Sequence, residues 1–127
     1  MDLGPCARPT VHACINLQDA LIRLDGPRCG MQGPRAWRLC RFAVMHELGH
    51  AFDHAMPEWK RVRFMKMLTG PDDWDQTDEI GGSLRENFAD VYAWCAMREE
   101  ILVGGRLMPV LSPRTMRRAC HLIRIPN

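Results

Sequence analysis

The sequence predicts an α+β domain in which helices dominate. Three observations lead there: four stretches that read as helices, two short strand-like stretches near the start, one of them alternating, and Pro, Gly and Asp clusters between them. A chain of 127 residues and 14.6 kDa makes one domain, 1–127, around one core. Apolar residues make up 46% and charged residues 25%, the proportions of an ordinary globular protein. That excludes wholesale disorder, collagen-like repeats and coiled coil. No uncharged apolar run approaches the roughly 18–20 residues of a membrane-spanning helix, so no membrane partner is expected.

Val11–Leu17 carries Val11, Ala13, Ile15 and Leu17 at period two, opposite His12, Cys14 and Asn16, and reads as a strand with one buried face. Ala20–Leu24 reads as a second short strand, closed by the breaker Asp25-Gly26-Pro27. After a loop from Gly30, Pro34 suits the first turn of a helix. That helix runs from about Arg35 to Met56 and is the central element. Leu39, Phe42, Ala43, His46 and His50 share one stripe of it, while Trp37, Val44, Leu48, Ala51 and Ala55 lie nearly opposite. Apolar residues on both sides predict that the domain buries it, and Pro57 stops it.

Glu58–Leu68 reads as a basic amphipathic helix with Trp59, Val62, Met65 and Met67 or Leu68 facing inward. The loop Thr69–Gly82 follows. Its acids, Asp72 to Glu79, lack calcium-loop spacing and read as solvated. Ser83 caps a helix from Leu84 to about Glu100, ended by Gly104-Gly105, and Ser112-Pro113 opens the last helix.

The formal charge of +2 does not by itself imply a nucleic-acid or membrane partner. Arg114, Arg117, Arg118 and Arg124 make the last helix basic, but no nucleic-acid-binding motif accompanies them, so nucleic acid is not an expected partner. Six cysteines are many for this length, and none forms a CxxC pair. The opening MDLGPCARPT lacks the basic and apolar stretches of a signal peptide. The default is therefore reduced, buried thiols in a cytoplasmic protein, with secretion left open by the cysteine count. If disulfides form, Cys95–Cys120 is the first pairing expected, because each residue lies on a helix of the C-terminal half.

His46-Glu47-Leu48-Gly49-His50 spells HExxH. Four residues apart on a helix, the two imidazoles share a face and can grip one zinc ion. Glu47 points about 60–100° away from them, close enough to act on an attacking water without ligating the metal. Chance supplies only about 0.01 copies of this pattern in such a composition. The bland alternative is a buried helix with two hydrogen-bonded histidines, each costing a few kcal/mol if left without a partner.

The third ligand must come from another segment. Asp53 and His54 lie about 10 and 12 Å along the axis from His46, beyond reach of metal bonds of about 2 Å. Glu86 in Ser83-Leu84-Arg85-Glu86-Asn87-Phe88-Ala89-Asp90 is the best candidate, with Glu79 or another loop acid behind it. Ser83-x-x-Glu86 also matches a capping box, in which Glu86 would only serve its own helix start. Asp90, four residues on and on the same face, favours the metal, since a carboxylate there can hold the second nitrogen of a ligating histidine.

HExxH followed on a later helix by ExxxD resembles the zincin metallopeptidases of the glutamate-zincin type, and HELGHAFD…ENFADVYA is similar to small single-domain members, including actinobacterial and phage-type ones. The likeness covers His46–Ala93 and is specific only at the two motifs. It implies a mostly helical zincin-like minimal domain with a short sheet beside the HExxH helix. It further implies one Zn2+ held by His46, His50 and Glu86, with Glu47 as general base and Asp90 as orienter. The activity implied is hydrolysis of a peptide or protein substrate. The chain lacks the third histidine of the metzincin pattern and the second lobe of larger zincins. Tyr92 and His121 are the candidates for stabilising a tetrahedral oxyanion, although Tyr92 faces about 120° from Glu86 and reads as core. The strand Val11–Leu17 either covers the central helix or presents an edge to an extended substrate.

Overall fold

The computed structural model of the chain describes residues 2–3, 13–16, 21–24, 34–68, 73–75, 83–97 and 111–127. They are mostly helical: α1 (Pro34–Ala55), α2 (Glu58–Met65), α3 (Leu84–Met97) and α4 (Pro113–Arg124). Three short strands, β1 (Asp2–Leu3), β2 (Ala13–Asn16) and β3 (Leu21–Leu24), form a sheet in the order β1-β3-β2. β1 runs parallel to β3 and β2 antiparallel to it. Within the described residues the two expected strands appear as β2 and β3. Nothing in the two residues of β1 announces a strand, because period two needs more than two positions to register. β2 and β3 both pack against α1. No described helix is long and apolar enough to cross a membrane.

Local chemistry sets the helix ends. Pro34 occupies the first position of α1, where its missing N–H costs nothing. Pro57 precedes α2 with extended backbone, and Glu58 in the first turn offsets the helix dipole. α2 ends at Met65, earlier than expected, and Met67 and Leu68 both close onto the Phe64 carbonyl. Ser83 Oγ accepts the Glu86 N–H at 3.2 Å to start α3, and Ser112 Oγ accepts the Thr115 N–H at 3.2 Å to start α4.

The core gathers on Phe88 of α3, fully buried. Its ring meets Phe64 edge-on at 4.7 Å, Trp74 at 5.7 Å and Phe52 at 6.0 Å. Leu84 and Val91 on α3 and Met116, Ala119 and Leu122 on α4 complete it. Trp74 comes from the acidic loop, so that loop is not wholly solvated: it sends one aromatic inward between exposed Asp73 and Asp75.

The inner face of α2 corrects the reading from spacing. Trp59 and Val62 are exposed, while Phe64 and Lys60 are fully buried. The cause is a polar group that finds partners: the Lys60 ammonium donates to the Ile125 carbonyl at 2.6 Å and to Asn127 Oδ1 at 2.7 Å, and lies over the Phe52 ring, 5.2 Å from its centroid. Burial pushes the Lys60 pKa down. Ala55, placed on a buried stripe of α1, is exposed where that helix ends.

The expectation of reduced thiols is also overturned. Cys95 on α3 and Cys120 on α4 are bonded, with their Cα atoms 5.4 Å apart. Cys40 is disulfide-bonded too, and no described cysteine is free. The default rested on the character of the N-terminal residues, which carries no information about thiols that packed helices bring face to face. His12, Glu79 and Gly104-Gly105 lie outside the described residues.

Candidate metal centre

The centre is built from two helices that cross close together. α1 carries His46 and His50 one turn apart, and α3 carries Glu86 and Asp90 one turn apart. Between each pair sits a small residue, Gly49 on α1 and Ala89 on α3. A Cβ on Gly49 would lie 2.9 Å from Ala89 Cα, 3.1 Å from Tyr92 Cβ and 3.2 Å from the Ala89 carbonyl oxygen. Two of these three atoms are backbone, so no side-chain rotation makes room. Gly49 is therefore what lets α3 come near enough for its carboxylates to reach the imidazoles.

At that approach the side chains converge. His46 Nε2 lies 3.1 Å from His50 Nε2 and 3.2 Å from Glu86 Oε2, and His50 Nε2 lies 3.4 Å from Glu86 Oε1. The donor atoms of His46, His50 and Glu86 all fall within 4.8 Å of one another, a group able to hold a metal ion. Two atoms bound tetrahedrally at about 2.0–2.1 Å are roughly 3.3 Å apart, which matches these separations. Two imidazole nitrogens and a carboxylate also form a donor set suited to zinc.

On its far side, His46 Nδ1 meets Asp90 Oδ1 at 2.8 Å. With Nδ1–H donating there, neutral His46 presents the Nε2 lone pair to the centre. In the metal-free protein burial opposes charge on His46, yet the Asp90 hydrogen bond and the Glu86 carboxylate outweigh it and push the pKa up to about 10. His50 moves the other way. Burial and the neighbouring His46 lower its pKa, only partly offset by Glu86 and Asp53.

Cap and ligand are not rival roles for this segment. Ser83 caps α3 through the Glu86 N–H while the Glu86 carboxylate faces the histidines. Asp53 stands apart from the imidazoles' donor atoms, as its distance along α1 requires. It is buried and ion-paired: Arg61 of α2 reaches Oδ1 at 3.2 Å and Arg85 of α3 reaches Oδ2 at 3.0 Å. Arg85 also meets Asp75 at 2.7 Å. Since Arg85 precedes Glu86, this pairing fixes the start of α3 relative to α1.

Glu47 is half-buried on α1. Tyr92 is not brought to the donors by any described polar contact; its ring packs on Phe52 at 5.4 Å and Phe88 at 6.4 Å. His121 is exposed on α4, in a groove lined by no residue of the metal group. Sequence reasoning missed Gly49, Arg61 and Arg85. A glycine inside a helix, about 1 kcal/mol worse there than alanine, was the available signal for the first; the two arginines carry no local signature.

Comparison with known protein families, with characterised proteins and with solved structures finds no match for the chain.

Proposed function

We propose that the chain is a zinc-dependent peptidase with a minimal zincin-like α+β domain. The observation that carries this reading is the Glu86 carboxylate set against both imidazole Nε2 atoms, with Asp90 on the remaining nitrogen of His46. His46, His50 and Glu86 would hold the ion. Bound zinc would supply Lewis acidity, polarising the scissile carbonyl and lowering the pKa of water toward about 7.

The rest falls to the protein's own groups. Asp90 keeps the Nδ1 proton on His46 and so keeps Nε2 available. Glu47, the motif acid that is not among the converging donors, takes the proton of the attacking water on its carboxylate and returns it to the leaving amine. β2 is an edge strand of the sheet and packs on α1, which offers an extended substrate a backbone to pair with. The Cys95–Cys120 bond favours work in an oxidising compartment.

Zinc analysis together with hydrolysis of a peptide library, by wild type and Glu47→Gln, tests the proposal. The expected result is one zinc in both proteins and turnover lost by about 100-fold or more in Glu47→Gln. Equal background rates with zinc intact would instead make this a non-catalytic zinc protein.

A further inference from the structure

A concave surface lies between α2 and α4. Its volume is about 620 Å3, within the usual range of ligand pockets. Arg63 lines it from α2 and Lys66 from the turn that ends α2; Arg114, Arg117, Arg118 and His121 line it from α4. The four from α4 recur along the helix at about 5 Å of rise per turn, so positive charge runs the length of that wall. All six are exposed apart from their contacts in the groove, and among the described residues no acid lines it. Among the described residues none of the five permanent cations makes an ion pair, although acids elsewhere are paired with Arg61 and Arg85. The floor is apolar, formed by Met67, Leu122 and Ile125.

We propose that this groove binds an acidic peptide segment with apolar side chains interspersed among its carboxylates. Guanidinium groups on one wall and Arg63 with Lys66 on the other would pair with carboxylates, bidentately where geometry allows. The floor then requires apolar groups from the same occupant. A nucleic-acid strand meets the cations with phosphates but brings stacked bases to the floor, and among the described residues no Trp, Tyr or Phe lines the groove to receive them. None of the metal-group residues takes part, so this site stands independently of the hydrolase reading.

Fluorescence anisotropy with labelled peptides alternating Glu with Leu, or Glu with Gly, and with an oligothymidylate of equal charge decides the matter. The Glu/Leu peptide is expected to bind the wild-type protein at least about tenfold more tightly than either other probe. Arg114→Glu/Arg118→Glu on one wall, and separately Lys66→Glu on the other, should each weaken it by about tenfold or more, at unchanged Tm and zinc content. Equal affinity for the Glu/Gly peptide, tighter binding of the oligonucleotide, affinity unmoved by both variants, or no binding of any probe would overturn the proposal.

Discussion

His46 meets two carboxylates, and that contact has a consequence in solution. Its folded pKa, about 10 in the metal-free protein, exceeds the unfolded value of about 6.5. The stabilisation it provides is fully present below about pH 6.5 and is lost as pH rises toward 10. Zinc requires a neutral imidazole, so uptake at pH 7.5 should release about one proton from His46 and almost none from His50, whose pKa is already lowered. Calorimetry in buffers of different ionisation enthalpy reads this number, and zinc binding without proton release would contradict it. Asp90→Ala removes the partner of Nδ1 and should weaken zinc by about 10–100-fold with the fold intact. Glu86→Ala should cost far more zinc than Ser83→Ala, which removes only a cap worth about 1 kcal/mol. The pattern of these residues was legible because a helix converts four-residue spacing into a shared face. Lys60 was not, since its burial depends on acceptors more than sixty positions away.

The crossing of α1 and α3 makes the centre, and one hydrogen atom in place of a methyl group permits it. Glycine to alanine inside a helix ordinarily stabilises by about 1 kcal/mol. Gly49→Ala is expected to do the reverse, because the added carbon meets the α3 backbone at 2.9 Å. Loss of zinc affinity should accompany the fall in Tm; a stabilised, zinc-replete variant would show that the helices need no such contact. The same crossing explains what sequence spacing left out. Periodicity gave four helices close to their observed bounds, yet it assigns faces one helix at a time. It could not report that α2 turns Phe64 rather than Trp59 inward, since that orientation is set by Phe88 on another helix. Nor could it pair Arg85 with Asp53, thirty-two positions distant.

Across the molecule, α3 is the element the other helices are fastened to. It supplies Phe88 to the core, Glu86 and Asp90 to the centre, Arg85 to the Asp53 pair and Cys95 to the bridge with α4. The bridge closes a separation of 25 residues, for which loss of chain entropy in the unfolded state predicts roughly 3.5 kcal/mol. Cys95→Ala/Cys120→Ala should lower stability by about that much in denaturant melts, and unchanged stability would mean that the helices hold α4 without it. The proposed function rests on two histidines of α1 and one glutamate of α3 binding a single zinc ion. A crystal structure of the zinc-loaded protein tests it most directly. One ion is expected within about 2.0–2.2 Å of His46 Nε2, His50 Nε2 and a Glu86 oxygen, with Asp90 still on His46 Nδ1. An ion bound without Glu86, or none bound at all, would contradict it.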